Sequence, residues 1–308
     1  MITVPCLIQK GSICLKQLTV NEYIRKKYGG KLYKIAINAG FTCPNRDGTL
    51  GNRGCIFCSG LGSGDFAESA SLSVTEQIES GKKRVAAKLS GDFKGYIAYF
   101  QAFTNTYAPT DRLREVYTEA VCHPDIRVIS VATRPDCLGE DVITLLEEIN
   151  SIKPVWVELG LQTIHEKTAE YIRRGYPLEV YDRAVKELRS RNLEVITHVI
   201  LGLPFESRKE MLETVKYVGA SGATGIKLQL LHVLKDTDLA DEYAKGVFKC
   251  LTLEEYTMLI KDALDILPED MVIHRMTGDG DKKLLIAPDW SRDKKNVLNT
   301  LNRVLKGQ

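Results

Sequence analysis

Apolar, β-branched runs recur along the chain with amphipathic stretches between them, and this alternation carries most of the architectural information. The runs predict strands at 33–38, 96–101, 127–132, 155–159, 194–201 and 225–231. Helical periodicity fills the gaps at 73–89, 110–121, 139–149, 178–191 and 207–220. Thr110 and Ser207 stand where N-caps are expected, and Glu210 follows Ser207 at capping-box spacing. Six strand-then-helix units in a row predict a parallel sheet with helices outside it, because parallel strands need crossover connections. Periodicity does not separate an open doubly wound sheet from a barrel with too few strands to close. In both, loops after the C-terminal ends of the strands build the site.

The rhythm changes at both ends. Residues 1–30 read as an N-terminal extension with a short helix at 20–27, and 31–234 as the core. Residues 235–308 read as a C-terminal extension packed on that core. It carries a helix at 253–266, a strand-like run at 271–275 and a last helix at 294–305. No linker-like stretch divides the chain, so one domain with terminal elaborations is expected.

The 308 residues are 44% hydrophobic, enough for a substantial core, with a net charge of +2. A polyanionic partner is neither required nor excluded by that charge, so local basic patches must decide. No apolar run approaches the roughly 20 residues that span a bilayer. The first residues lack a basic-then-apolar leader, and a soluble, cytoplasmic protein is expected.

The eight cysteines are unevenly spread, with Cys43, Cys55 and Cys58 crowded into one loop after the first predicted strand. Cys55 and Cys58 have the two-residue gap that lets neighbouring thiolates reach one metal centre. Cys43 lies further back, and Gly48, Gly51 and Gly54 let the loop return on itself. A structural zinc site normally wants a fourth ligand, which this loop lacks. A thioredoxin-like pair normally opens a helix and has no third cysteine. Three packed core cysteines suit a loop rich in Gly, Asn, Asp and Arg poorly. The reading that remains is a four-iron cluster with three protein ligands and one open iron.

On these residues the chain resembles the radical S-adenosylmethionine (SAM) superfamily, with Cys-x11-Cys-x2-Cys in place of the commoner Cys-x3-Cys-x2-Cys. It looks closest to the branch containing the Elongator catalytic subunit and the oxygen-independent coproporphyrinogen oxidases. Within that branch it is similar to a bacterial family, through the segment from Phe41 to Gly48 and through His274-Arg-Met-Thr-Gly-Asp279 and Ala287-Pro-Asp-Trp290. The resemblance implies a partial (β/α)6 barrel holding a [4Fe-4S] cluster on Cys43, Cys55 and Cys58. It also implies SAM bound by Gln101 and Thr104 after the second strand and Thr133 after the third. Glu158 and Gln162 on the fourth strand, Arg174 beyond it and His198 on the fifth complete the implied SAM set. A guanidinium such as that of Arg174 offers a planar fork to the methionine carboxylate.

Lys227, Gln229 and His232 form a polar row along the sixth strand, read as facing the barrel interior, and are candidate substrate contacts. His274, Arg275 and Asp279 are candidates to cap the barrel mouth. The implied chemistry is reductive cleavage of SAM to methionine and a 5′-deoxyadenosyl radical, which abstracts hydrogen from substrate. The implied substrate is tRNA, at the carboxymethylaminomethyl-to-aminomethyl step of a wobble uridine. Flavodoxin or ferredoxin is the implied electron donor, and no membrane partner is expected. Basic clusters at Arg25–Lys27, Lys82–Arg84, Arg173–Arg174, Lys282–Lys283 and Lys294–Lys295 are the candidate RNA contacts. An oxidase of a small-molecule metabolite and a non-catalytic iron–sulfur scaffold are the competing readings.

Overall fold

Successive side chains of a strand point to opposite faces, so a strand between a helical layer and a barrel interior shows two separate patterns. The computed structural model describes residues 15–62, 67–278 and 280–306, and its strands follow this rule. In chain order the helices and strands are α1 (Val20–Tyr28), β1 (Lys31–Ile37), α2 (Val74–Val85), β2 (Phe93–Phe100), α3 (Thr110–Cys122) and β3 (Ile126–Thr133). Next come α4 (Glu140–Ile152), β4 (Val155–Gln162), α5 (Glu166–Tyr171), α6 (Leu178–Ser190), β5 (Glu194–Leu201), α7 (Arg208–Ala220) and β6 (Gly225–Leu230). The C-terminal part adds β7 (Val233–Leu234), α8 (Asp238–Ala244), α9 (Leu253–Ile266), β8 (Val272–Arg275), β9 (Leu285–Ala287) and α10 (Lys294–Leu305).

One sheet runs β1-β2-β3-β4-β5-β6-β8 with every neighbouring pair parallel. The strand-like run at 271–275 therefore takes a seventh place beside β6. The sheet curls. Tyr99 of β2 accepts a hydrogen bond from Lys227 of β6 at 3.2 Å, whereas strands four places apart in a flat sheet lie roughly 19 Å apart. Such closeness requires a half-barrel, which resolves the choice that periodicity left open.

The outward positions, including Ile35, Ala98, Ile129, Val157, Val195 and Leu228, pack against the helices in the main core. The inward positions form two layers. Leu32, Ile97, Val128, Trp156 and Ile196 make an apolar plug with Ile24 of α1 against it. Above the plug, Lys34, Tyr99, Ser130, Glu158, His198 and Lys227 make a polar layer whose hydrogen bonds are internal.

Several helices begin with a side-chain cap, whereas α3, α4, α5 and α6 do not. Ser207 caps α7 in a full capping box with Glu210, and Thr19, Ser73 and Thr252 do the same for α1, α2 and α9. Thr110 is not a cap: Pro109 holds that place, and the Thr110 hydroxyl is drawn to Asp141 instead. Helix α2 also stops short of its expected end, passing at Ala86 into one 3₁₀ turn.

Candidate active site at the barrel mouth

The loop between β1 and α2 folds back through its own backbone and two side chains. Leu50 and Gly54 donate to the carbonyls of Pro44 and Asn45 at 2.8 and 2.7 Å. Arg46 donates to the carbonyls of Cys58 and Ser59 at 2.9 and 2.7 Å, tying the start of the loop to its end. Gly54 has φ +76, and a Cβ there would lie 2.8 Å from the Arg46 guanidinium, so this tie needs glycine. Ile56 packs with Ile172, Leu203, Leu231 and Leu239, and Leu239 of α8 donates to the Ile56 carbonyl at 2.9 Å. The C-terminal part therefore pins the cysteine loop in place.

Cys43, Cys55 and Cys58 are half-buried and line one cavity of about 240 Å³ at the C-terminal ends of the strands. Burial, then the nearby Cys58, pushes the Cys55 thiol up to about 12, although Arg134 and Asn45 pull the other way. A bare Cys55 thiol would stay protonated, and a bound cationic centre would hold it as the thiolate. Asn45 already aims its amide at Cys55 Sγ, 3.4 Å away, in the manner of hydrogen bonds that tune iron–sulfur clusters. The three side chains fit a [4Fe-4S] cluster with one open position.

The same cavity is lined by Gln101, Thr104, Thr133, Glu158, Gln162, Arg174, His198, Lys227, Gln229 and Arg275. Two lining residues at strand ends, Phe103 beyond β2 and Gln162 closing β4, have positive φ. Arg174 is 2% exposed, which rules out a solvated helix-end residue. Its guanidinium donates to the carbonyls of Thr163 and Tyr176 at 2.6 and 2.9 Å and to Glu166 at 2.8 Å. Three of its five N–H groups are thus engaged, leaving two for a ligand.

Glu158 is the hub of the polar layer. Its carboxylate accepts from Ser130 at 2.8 Å, Lys34 at 3.3 Å and His198 at 2.8 Å, and it pairs with Lys227. Burial alone would raise its pKa, but Lys227, Lys34 and His198 outweigh it and hold the group well below the usual carboxylate range. A carboxylate has about four lone-pair positions, and protein donors occupy them. Glu158 therefore organises the layer from within the cavity wall. His198 is pushed down to about 4 by burial and then by Lys227, so it is neutral. Its Nε2–H donates to Glu158, and its Nδ1 accepts from Gln229 at 3.0 Å. Both ring nitrogens have protein partners, and the ring lines the cavity.

Two expected mouth residues lie elsewhere. His232, three positions beyond Gln229, breaks the two-residue period and falls past the end of β6, against Gly278 and Gly280. His274 turns inward at the opposite end of the barrel, with its ring edge-on to Trp156 at 5.2 Å. Asp279 lies outside the described residues. Lys34, Tyr99, Ser130, Asn45 and Arg46 carry roles that sequence reasoning missed. A lysine at an inward position of an otherwise apolar β1 was the available signal for the first.

Comparison with known proteins places this architecture. Residues 48–218, more than half of the chain, match the Radical SAM superfamily, and 223–306 match the Radical_SAM C-terminal domain. The chain belongs to the radical SAM superfamily. It is 45% identical over 290 residues to the uncharacterized protein YtqA of Bacillus subtilis, covering 94% of this chain and 89% of that one. A tRNA uridine(34) acetyltransferase of Methanocaldococcus jannaschii is 27% identical over 154 residues, 49% of this chain and 28% of that protein. Among solved structures, the archaeal Methanocaldococcus infernus Elp3 matches with a TM-score of 0.66 at 16% identity. That match covers 89% of this chain and 63% of Elp3 and shows the shared fold.

This radical SAM enzyme uses a [4Fe-4S] cluster and SAM, and its family requires an electron donor. The scaffold reading falls with that membership. No helix among the described residues is long and apolar enough to cross a membrane.

Proposed function

We propose that this enzyme acts on the wobble uridine of tRNA, at the step from carboxymethylaminomethyl to aminomethyl. The observation that carries the reading is the match to a tRNA uridine(34) acetyltransferase across half of the chain. The cavity agrees with it in form. At about 240 Å³, part of which the cluster and SAM would take, it has no room for a folded RNA, so the nucleotide must be extruded to reach it.

Cys43, Cys55 and Cys58 would hold the cluster, and Gln101, Thr104, Thr133, Gln162 and Arg174 would hold SAM, Arg174 through its two remaining N–H groups. When bound, the cluster supplies the electron that cleaves SAM to a 5′-deoxyadenosyl radical. The chain's own part is to orient SAM, exclude water with the apolar plug and present Lys227, Gln229 and Arg275 to the substrate. Residues 31–234 form the catalytic core in this reading, with 1–30 before it and 235–308 packed on it. Flavodoxin or ferredoxin is the proposed electron donor.

Purified enzyme, SAM, a reductant and undermodified tRNA should yield 5′-deoxyadenosine in step with nucleoside conversion, followed by mass spectrometry. Deoxyadenosine formed only with a free small molecule, with tRNA neither bound nor changed, would favour the metabolite-oxidase reading.

A further inference from the structure

Among the described residues, two lysines at the floor of the cavity share one carboxylate. Lys34 and Lys227 both reach Glu158, and among the described residues each has no other acidic partner. The two ammonium groups also share one aromatic ring, lying 4.6 and 4.7 Å from the centroid of Tyr99. His198 is neutral and adds no charge to the two lysines. Arg275, on the same cavity wall, adds to the positive field felt by Lys227 and His198.

Lys227 is 2% exposed, and a buried charge is costly unless it is paired. One carboxylate shared between two lysines leaves an excess that an incoming anion would neutralise. Burial, followed by the charges of Lys34 and Arg275, pushes the Lys227 ammonium down despite Glu158, and a docked anion would reverse that pressure.

We propose that Lys227 anchors a carboxylate carried by the substrate, received at the cavity floor between Lys227, Gln229 and Arg275. Glu158 is the positioning residue: by holding Lys227, Lys34 and His198 together it aims the excess charge at the cavity. The proposal rests on the tRNA reading for the carrier of that carboxylate, the tip of the wobble-uridine substituent. A backbone phosphate is an anion too, but the sugar–phosphate chain cannot follow the base to this depth. The carboxylate of SAM is the remaining source, and the test separates it.

The test compares anaerobically reconstituted wild type with Lys227→Met. Melting temperature and cluster absorbance check that each is folded. Lys227→Gln, which keeps a neutral hydrogen-bond donor beside Glu158 while Lys34 still balances that carboxylate, serves if Lys227→Met does not fold. The first probes are tRNA bearing carboxymethylaminomethyluridine and the same tRNA methyl-esterified at that carboxylate. Wild type should favour the acid by roughly tenfold to a hundredfold, and the variant should bind acid and ester alike. A preference absent from wild type, or kept by the variant, overturns the anchor while leaving the tRNA reading intact. SAM affinity should not change, and a comparable loss there would move the anchor to SAM and overturn the substrate assignment. If tRNA does not bind at all, phenoxyacetate and its amide replace it, read by ligand-observed NMR. A Lys227-dependent preference for the acid then upholds the anchor though the tRNA reading has failed, and no preference ends both.

Discussion

Single residues decide whether this site exists. Replacing Cys43, Cys55 and Cys58 together by Ala should abolish the roughly four irons and four sulfides expected per chain and their brown absorbance. Retention of a full cluster through Cys137 or Cys250 would refute the assignment. Arg174 is a different case, because its side chain is both a proposed ligand and a buried clamp on the Thr163 and Tyr176 carbonyls. Arg174→Ala should weaken SAM binding about tenfold to a hundredfold and also cost about 2–4 kcal/mol of stability, since two buried acceptors lose their donor. Calorimetric SAM titration beside a denaturant melt checks both effects. Unchanged affinity with lowered stability would leave Arg174 a clamp alone.

At the level of elements, packing overrides propensity where α2 lies on β1. Gly81 sits inside that helix, where Ala would ordinarily be favoured by about 1 kcal/mol. A Cβ at Gly81 would lie 2.4 Å from Ile35 Cγ2, on the outward face of β1. Overpacking of this kind costs about 1–3 kcal/mol, so Gly81→Ala should lower stability despite the better helix former. A rise in denaturation midpoint would show that the α2–β1 contact gives way more easily than its geometry implies. Capping was largely legible beforehand, as Ser207 and Glu210 show, because a capping box is a local device. Thr110 was misread for a non-local reason: Asp141, on the next helix, competes for its hydroxyl.

For the whole molecule, acid should loosen the barrel from within. His198 titrates near 4 when folded and near 6.5 when unfolded, so the unfolded chain binds the extra proton between those values. Stability should therefore fall as pH drops from about 6.5 to about 4, by on the order of 3 kcal/mol, and change little further from this group below that. His274, held well below its usual value by burial, adds to the same loss. Melts across that range should show the slope, and His198→Gln should reduce it. The tRNA reading has its own test at this scale, a steep and linear fall of log affinity with log salt. Here the structure narrows the candidate contacts. Lys27 pairs with Glu194, and Lys82 with Glu79 and Asp125, so these charges are already balanced. Lys282 and Lys283 are exposed on the segment leading into β9, which pairs with β7 just beyond the end of β6. Charge reversal of both should flatten the salt slope by about two contacts; an unaltered slope would place the RNA elsewhere.

The order of strands and helices, the parallel sheet and the three-cysteine loop were all legible in the sequence. Each is written in local terms: a period of two, a period of 3.6, or a spacing that lets neighbouring thiolates share a centre. Lys227 and Gln229 were legible as an inward pair for the same reason, and His232 failed because the strand ends before it. Only the tertiary structure decided the rest. Curling brings β1, β2, β4 and β6 across the barrel to one point, and that closure makes Glu158 a hub for Lys34, Ser130, His198 and Lys227. The four donors that share this carboxylate lie 28 to 124 positions from Glu158 along the chain. No local pattern encodes such a meeting, because it depends on how far the sheet bends.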